Sequence, residues 1–317
     1  MNESNMWKET DEEILQQIPE KLLTWYDKNA RVLPWREDPR PYRVWVSEIM
    51  LQQTRVEAVK PYFERFLKAL PTVADLAQAP EEQLLKLWEG LGYYNRVRNL
   101  QRGARAVMAE HGGVIPASFE ALKKLPGIGD YTAGAIGSIA FQIPVPAVDG
   151  NVLRVISRVL YRRDNILDAK VKRRIEGEIK EILPERTGDF NQSLMELGAT
   201  VCLPNGAPKC NECPLQELCR AHLVGDEESL PVKTKAKKRK IEQRTVFLLV
   251  CDGKIALRKR PEKGLLAGLW ELPSQEGMLG CAEAGKLLQT WGVRTLGELQ
   301  KQTDAKHIFS HVEWHMT

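Results

Sequence analysis

Four of the six cysteines lie close together in the chain, in the segment 202–219. They are Cys202, Cys210, Cys213 and Cys219. Thiolates at this spacing can converge on one metal ion or one iron-sulfur cluster without long-range folding, although four ordinary thiols are the alternative. Chance rarely places most of a chain's cysteines in one proline-flanked loop, so the spacing favours a metal site. Cys251 and Cys281 lie among apolar or small residues and are expected to be packing residues.

A glycine-rich turn at 125–129 could hold a phosphate. Gly127 and Gly129 would let the backbone approach a partner closely, and the helix predicted after them would present unpaired amides with a partial positive charge. Such a turn is often only a tight connection, but apolar helices on both sides favour a helix-hairpin-helix that contacts the DNA backbone. Asp130 would repel a phosphate unless it caps its own helix, and the sequence leaves both readings open.

Two carboxylates lie in contrasting surroundings. Glu48 is flanked by apolar residues at 45–46 and 49–51, so burial should raise its pKa and keep it a proton donor. Asp149 lies in a glycine-containing loop just before a predicted helix, where amides and the helix dipole should favour its ionised form. Taken alone, an acid of this kind is more often an ordinary surface residue than a catalyst.

The elements that must position these residues are mainly helical. Apolar residues recur at helical spacing through the first two thirds of the chain. The predicted helices are 56–70, 81–88, 97–110, 119–125, 132–141, 152–161 and 169–183. Downstream, 245–251 and 254–258 flank an Asp-Gly turn and predict a hairpin, followed by a helix at 282–291. The fold class is therefore mainly α, with an α/β region at the C-terminal end.

Composition limits the class of protein. The chain has 317 residues, 43% of them hydrophobic, which suits two or three domains. It begins without a basic or apolar leader and contains no apolar run long enough for a bilayer, so we expect a cytoplasmic protein without a membrane partner.

The net charge of +4 is too small to indicate nucleic-acid binding by itself, but basic residues crowd the segment 229–244. They are Lys233, Lys235, Lys237, Lys238, Arg239, Lys240 and Arg244. This segment is predicted to be an interdomain linker, either freely solvated or lying along phosphates.

The hairpin, the segment 145–154 and the four cysteines together resemble the endonuclease III superfamily of base-excision DNA glycosylases. The segments 45–54, 89–94 and 190–192 resemble its MutY-type adenine glycosylases, which remove adenine mispaired with 8-oxoguanine. The resemblance implies a helical catalytic region over 1–228. Within it, a six-helix lobe spans about 29–141, and an iron-sulfur lobe is built from 1–28 and 142–228. The linker and a partial Nudix-like domain at 245–317 follow.

The resemblance also implies the chemistry. Cleaving the bond between adenine and deoxyribose needs an acid for the leaving base and an anion beside the sugar. Glu48 would protonate adenine, Asp149 would stabilise the sugar cation or trap it covalently, and Asn151 would help to position the water. Relatives that also cut the strand carry a lysine where this chain has Tyr131, so hydrolysis of the base alone is expected.

Further roles follow from the same motifs. Gln53 and Tyr93 would fill the gap left by a base flipped out of the duplex. Gly127 and Gly129 would contact the DNA backbone. Arg31, Trp35 and Gln192 would line the adenine pocket, with core packing as the alternative for Trp35. Thr54 and Leu91 belong to the same substrate-binding motifs. The four cysteines would hold a [4Fe-4S] cluster, although the seven-residue gap after Cys202 exceeds the usual six.

The segment 264–273 resembles a Nudix domain, but no cluster of acids follows it to bind the metal for pyrophosphate cleavage. Phe309, Ser310 and His311 match the loop that recognises 8-oxoguanine in the MutY family. The chain ends soon afterwards, which predicts an open sheet edge and a marginal or incomplete C-terminal domain.

The expected partner is duplex DNA with adenine opposite 8-oxoguanine or guanine. The protein itself is expected to be a monomer of bacterial type, associated with the nucleoid. Two alternatives remain: a bifunctional glycosylase and lyase for oxidised pyrimidines, and a noncatalytic iron-sulfur protein that binds DNA.

Overall fold

The computed structural model describes residues 7–234, 238–294, 299–301 and 303–317. Its contacts divide the chain into two units, Met1–Thr234 and Lys235–Thr317. Lys235 and Lys237 of the predicted linker lie outside the described residues. Among the residues described, no helix combines the length and the apolar character that crossing a bilayer requires. The cytoplasmic location and the monomeric state stay predictions.

The first unit is helical throughout. Its helices are α1 (Asp11–Asn29), α2 (Pro34–Glu37), α3 (Pro41–Leu51), α4 (Val56–Ala69), α5 (Val73–Gln78), α6 (Glu81–Trp88), α7 (Asn95–Glu110), α8 (Phe119–Lys124), α9 (Asp130–Phe141), α10 (Gly150–Val159), α11 (Ala169–Glu181), α12 (Thr187–Thr200) and α13 (Arg220–Val224). Short 3-10 turns lie at Cys210–Glu212, Gln216–Leu218 and Glu227–Ser229. The helices predicted from hydrophobic spacing recur here with ends that differ by at most two residues, which confirms the helical class.

Capping residues explain several of these boundaries. Thr10 begins α1 and Thr72 begins α5, each with a reciprocal capping box in which the threonine side chain accepts the N3 amide. Asp149 caps α10 with its own side chain. Helix α9 ends where Gln142 adopts a left-handed conformation with φ 54°, and its amide donates back to the last turn.

Two hydrophobic cores lie within the first unit. The first core packs α3, α4, α7 and α9 around large side chains that include Trp45, Phe63 and Trp88. The second packs α1, α10, α11 and α12 around residues that include Leu22 and Phe190. The chain passes from one core to the other between Ala147, which belongs to the first, and Val148, which belongs to the second. We call this passage the core boundary, and Asp149 comes directly after it.

The second unit is built on a four-stranded sheet with the order β6-β1-β8-β7. Strand β1 pairs in parallel with β8, and the other pairings in this sheet are antiparallel. The strands are β1 (Lys240–Val246), β2 (Val250–Cys251), β3 (Lys254–Ile255), β4 (Arg258–Lys259), β5 (Trp270–Glu271), β6 (Ser274–Glu276), β7 (Ala305–Ile308) and β8 (Val312–Met316), and helix α14 (Cys281–Thr290) follows β6. The helix predicted at 282–291 is thus present, shifted by one residue.

The hairpin predicted at the Asp-Gly turn forms between β2 and β3, with Val250 opposite Ile255. Asp252 and Gly253 both have positive φ, 49° and 73°, as a tight two-residue hairpin turn requires. The predicted first strand was wrong in extent, because its residues divide between β1 and β2.

Two further predictions need correction. Strand β1 begins at Lys240, inside the predicted linker, because residues 240–244 pair with β8 as its parallel neighbour. Cys251 and Cys281 are exposed rather than packed in a core, since one lies on the two-residue strand β2 and the other on the first turn of α14.

Candidate active site

Glu48 lies in the last turn of α3 and is only 6% exposed. Tyr131 on α9 donates a hydrogen bond from Oη to Glu48 Oε2 over 2.6 Å. Burial raises the pKa of Glu48 to about 7, although the bond from Tyr131 lowers it; the nearby charge of Asp149 raises it further. The direction agrees with the apolar neighbours of Glu48 in the sequence. A carboxyl group with this pKa can hold a proton near neutral pH and give it up.

Asp149 is the N-cap of α10 and uses both carboxylate oxygens there. Oδ1 accepts the backbone amides of Asn151 at 2.8 Å and Val152 at 2.9 Å, and Oδ2 accepts Nδ2 of Asn151 at 2.7 Å. The sequence predicted that these donors would favour the ionised form. Burial nevertheless raises the pKa of Asp149 above its ordinary value, because loss of water outweighs the three donors.

One cleft brings these groups together with most of the predicted substrate-binding residues. Its lining includes the predicted residues Arg31, Trp35, Glu48, Gln53, Thr54, Tyr131, Asp149, Asn151 and Gln192. Leu91 is not among them, because its side chain is buried in the first core. Tyr93 lies on the loop between α6 and α7 with 51% of its surface exposed. The prediction that Leu91 contacts substrate is therefore not supported by its position.

The position of Trp35 is compatible with both alternatives that the sequence left open, core packing and lining of the adenine pocket. Trp35 is 6% exposed and packs edge-on against Phe63, with ring centroids 5.3 Å apart. It also lines the cleft. Its ring thus joins the wall of the cleft to the first core.

The acid Glu196 on α12 organises the polar wall of the cleft, and sequence reasoning missed it. Arg31 donates to Glu196 from Nε at 2.6 Å and from Nη2 at 2.9 Å. Arg36 donates to Glu196 at 2.8 Å and to Gln192 Oε1 at 3.1 Å. Arg31 and Gln192, predicted to face adenine, are thus already bound to protein partners. A helical spacing of four residues from Gln192 was the available signal, since it places Glu196 on the same face.

The hairpin lies between α8 and α9. Gly127 has φ 80°, and a Cβ at this position would come within 2.7 Å of Asn99 Cβ, so glycine is required there. Gly129 is the N-cap of α9 with φ −97°, and no side chain caps the helix. Its first amides therefore remain available to an anion. Asp130 does not cap α9; it pairs with Lys123 Nζ at 2.7 Å.

The four clustered cysteines line one small apolar cavity. Arg158 donates from Nη1 to Cys202 Sγ at 3.2 Å. Burial raises the pKa of Cys213 to about 12 and of Cys219 to about 11, and the neighbouring thiols raise both. A bound cationic centre would remove that mutual repulsion, so the donor set fits a metal cluster. The seven-residue gap is absorbed, because Lys209 donates its amide to Val201 at 3.0 Å.

A hydrogen-bonded chain runs from Asp149 towards these cysteines. Asn151, which donates to Asp149, accepts from Arg154 Nη2 at 2.8 Å. Arg154 Nε donates to the carbonyl of Cys202 at 2.8 Å. The amide of Asn151 is therefore held on both sides, which fixes its orientation towards Asp149.

In the second unit, Phe309, Ser310 and His311 form the turn between β7 and β8. The amide of Phe309 donates to the carbonyl of Val312 at 2.9 Å, which closes the turn. The Phe309 ring lies 4.9 Å from Trp314 and 4.4 Å from His307, measured between centroids. Ser310 and His311 are exposed at the tip. The turn thus presents polar side chains on an aromatic base.

Comparisons with known proteins agree with this architecture. Residues 46–181 match the HhH-GPD superfamily of base excision DNA repair proteins, and residues 245–317 match the NUDIX domain. The chain is 39% identical to an adenine DNA glycosylase of Rattus norvegicus, over 92% of this chain and 68% of that protein. It is 43% identical to one of Arabidopsis thaliana, over 82% of this chain and 47% of that protein, so it spans about half the length of that relative. Among solved structures, a trapped endonuclease III-DNA covalent intermediate is similar with TM-score 0.58 and 26% identity, over 68% of this chain and 98% of that one.

Proposed function

Because the chain belongs to the adenine DNA glycosylase family of the HhH-GPD superfamily, we propose that it hydrolyses the N-glycosidic bond of adenine mispaired with 8-oxoguanine or guanine in duplex DNA. The observation that carries this proposal is the presence of two carboxyl groups in one cleft, the buried Glu48 and the half-buried Asp149. Glu48 has a pKa near neutrality and a tyrosine partner, and Asp149 lies with it in the cleft lining.

In the proposed reaction Glu48 is the general acid. A protonated Glu48 gives its proton to the leaving adenine, and the base departs as a neutral molecule rather than an anion. Tyr131 fixes the carboxyl group in the cleft through its 2.6 Å hydrogen bond. The surrounding apolar side chains keep water from competing for that proton.

Asp149 supplies the negative charge for the sugar. Positive charge develops on deoxyribose as the bond breaks, and the carboxylate of Asp149 stabilises it or forms a covalent intermediate. Asn151 donates a hydrogen bond to one oxygen of Asp149, and we assign it the further role of orienting the attacking water. Two amides of α10 hold the other oxygen, so the carboxylate does not have to reorganise during the reaction.

The residue at the position of the Schiff-base lysine supports hydrolysis without strand cleavage. Tyr131 occupies the position expected for a Schiff-base lysine, and its phenol cannot form that bond. In the part of the chain that the structure describes, Lys172 is the one lysine in the cleft lining. Weak strand cleavage through Lys172 would be opportunistic.

DNA binding and lesion reading are assigned to exposed elements. The uncapped amides of α9 would bind a phosphate, and Gln53 and Tyr93 would occupy the space that the flipped adenine leaves. The turn of Phe309, Ser310 and His311 would contact 8-oxoguanine through its exposed polar side chains. Each of these roles rests on the family resemblance together with the exposure of the residues.

The four clustered cysteines would hold a [4Fe-4S] cluster. When bound, the cluster supplies a rigid cross-link for the loop 202–219 beside α10. Arg158, through its hydrogen bond to Cys202, would compensate part of the negative charge of the thiolates. Equal amounts of iron and acid-labile sulfide in the purified protein would support this cofactor, and bound zinc would contradict it.

The test of the function is a single-turnover incubation with duplexes that carry adenine opposite 8-oxoguanine, guanine or thymine, analysed with and without alkali. We expect breaks at adenine that depend on alkali and form fastest opposite 8-oxoguanine. Equal rates opposite guanine and 8-oxoguanine would remove the lesion-reading role. Alkali-independent nicks with borohydride trapping would favour the bifunctional alternative, and no breaks from a folded, cluster-loaded protein would favour the noncatalytic binder.

The pH dependence of the rate should respond to Tyr131→Phe in a defined direction. Tyr131 stabilises the carboxylate of Glu48, so loss of its hydroxyl raises the pKa of Glu48 further. Since the protonated acid is the active form, activity should persist to higher pH in the variant. Single-turnover rates measured across pH 6 to 9 would test this at about one-unit intervals.

Tyr42→Phe is the matched control for Tyr131→Phe. Tyr42 is a buried tyrosine whose hydroxyl donates to the Leu70 carbonyl at 2.8 Å, away from the cleft lining. Loss of the Tyr42 hydroxyl should leave unchanged the pH at which the rate falls on the alkaline side of the profile. If the alkaline fall in rate moved to lower pH in Tyr131→Phe, that result would contradict the assignment of Glu48 as the acid.

Replacing Asp130 with asparagine should strengthen DNA binding. Asp130 neutralises Lys123 and places a negative charge at the start of α9, where a phosphate would bind. The variant should bind duplex DNA a few-fold more tightly. The slope of the logarithm of the binding constant against the logarithm of the salt concentration should be steeper by about the amount that one phosphate contact contributes. Fluorescence anisotropy over a range of salt concentrations would measure both. Asp164→Asn, which breaks an exposed ion pair with Arg174, is the control, and unchanged binding in Asp130→Asn would contradict phosphate binding at the hairpin.

A further inference from the structure

The guanidinium of Arg96 lies between two loops, of which the first, residues 52–55, lines the cleft. From α7, it donates to the carbonyls of Ile49 at 2.9 Å and Met50 at 3.2 Å, and to that of Gln52. These carbonyls lie at the end of α3, which has no intrahelical donors left for them. Hydrogen bonds from the guanidinium of Arg96 therefore hold the start of the first loop, residues 52–55.

The same guanidinium holds a second loop, residues 89–94. Its Nη2 donates to the carbonyls of Leu91 at 3.0 Å and Gly92 at 3.3 Å. Arg96 also lies 5.5 Å from the ring centroids of both Trp88 and Tyr93. One planar group with two nitrogen ends thus connects loops that are about forty residues apart in sequence.

Each loop carries an exposed side chain on a strained backbone. Gln53 has φ 58° and Tyr93 has φ 49°, both in the left-handed region that non-glycine residues seldom occupy. Both side chains are exposed, Tyr93 to 51%. An exposed aromatic ring suits stacking on a nucleobase. Strain of this kind persists only where surrounding contacts enforce it, and Arg96 supplies five of those contacts.

The position of Arg96 is unfavourable for a cation in two respects. It lies in the first turn of α7, where the helix dipole disfavours a cation. Among the described residues no carboxylate forms an ion pair with it, and its buried Nε has no hydrogen-bond partner. Residues that break local rules in this way are expected at functional sites.

We propose that Arg96 is a positioning residue that locks the two loops into one element, so that Gln53 and Tyr93 enter the duplex together when adenine is flipped. Through the carbonyls of Ile49 and Met50 it also fixes the turn of α3 that bears Glu48. This inference rests on the proposed function, because it concerns the DNA substrate of the same cleft.

The test uses Arg96→Lys in the full, cluster-loaded chain. A lysine amine is a single point and cannot reach both loops. We expect single-turnover adenine release to fall about 10²-fold, the loss typical of a small misplacement near a reacting centre. Binding to undamaged duplex should stay within a few-fold. A 2-aminopurine placed beside the target adenine should show less unstacking than with the unaltered protein, a loss that general destabilisation would not cause.

Arg105→Lys is the matched control. Arg105 lies on the same helix and, among the described residues, donates to the Ala77 carbonyl at 2.9 Å rather than to either loop, so its replacement should leave adenine release and the fluorescence signal unchanged. Equal behaviour of Arg96→Lys and Arg105→Lys would overturn the proposal.

Double-mutant cycles test the mechanism and remain informative if Arg96→Lys does not fold. Gln53→Ala and Tyr93→Ala alter exposed side chains, and the combined loss should be no larger than the greater single loss if the loops act as one unit. Multiplicative losses would overturn the proposal. Failure of the unaltered protein to release adenine would instead refute the proposed function, so the two failures are distinguishable.

Discussion

Replacing Glu48 with glutamine is expected to abolish adenine release while duplex binding is retained. Glutamine keeps the shape and can still accept the hydrogen bond from Tyr131, but it has no acidic proton for the leaving base. Loss of a general acid typically costs about 10² to 10⁴-fold in rate. Single-turnover base release, measured beside anisotropy with the same duplex, would separate the lost chemistry from binding. A rate within a few-fold of the unaltered protein would contradict the role of Glu48.

Glu64→Gln is the matched control for this substitution. Glu64 is exposed on α4, outside the cleft lining, so its replacement makes the same change of charge without affecting the site. Comparable losses in both variants would indicate a general charge effect on DNA binding.

The stability of Glu48→Gln supplies a second readout. The folded-state pKa of Glu48 is about 7, above its ordinary value of 4.5, so the folded protein binds more protons than the unfolded chain between these values. The free energy of unfolding therefore falls as the pH rises through this window. Glutamine does not titrate, so the free energy of unfolding of the variant lacks this pH dependence. The difference in unfolding free energy, variant minus unaltered protein, should therefore be larger at pH 8 than at pH 4 by on the order of 3 kcal/mol. Urea denaturation at both pH values would measure it.

Replacing Asp149 with asparagine should have the second large effect. The amide oxygen can still accept the backbone amides that begin α10, so the helix should form. The negative charge beside the developing sugar cation is lost, however, and removal of one such electrostatic contact typically costs about 10² to 10³-fold in rate. The measurement is single-turnover release of adenine opposite 8-oxoguanine.

Asp168→Asn is the control for Asp149→Asn. Asp168 caps α11 in the same manner, accepting the amide of Lys170 at 2.8 Å, and its side chain is exposed. A similar rate loss in both variants would show that helix capping, rather than the charge of Asp149, limits the reaction.

Local patterns in the sequence predicted the helices and the raised pKa of Glu48, because both depend on neighbours within a few residues. Helix α6 was predicted residue for residue at 81–88. The hairpin between β2 and β3 followed from the Asp-Gly pair, whose backbone preference is intrinsic.

Predictions that depend on distant contacts were less accurate. The sequence misjudged the pKa of Asp149, since its burial arises from elements that meet only in the folded protein. It missed Glu196, whose partners Arg31 and Arg36 lie about 160 residues away. It also placed Lys240 to Arg244 in a linker, because a basic, weakly apolar segment gives no sign of its pairing with β8. The roles of the site residues and the domain boundaries stay predictions.

The core boundary between Ala147 and Val148 separates the proposed proton donor from the proposed anion. Glu48 is borne by α3 of the first core, whereas Asp149 opens α10 of the second. The distance between the two carboxyl groups is therefore set by how the first core packs against the second. A mobile loop would let that spacing fluctuate with solvent and temperature, whereas close-packed cores resist compression. Packing within both cores thus maintains the distance between Glu48 and Asp149. A rearrangement of either core would change that distance and therefore the reaction rate.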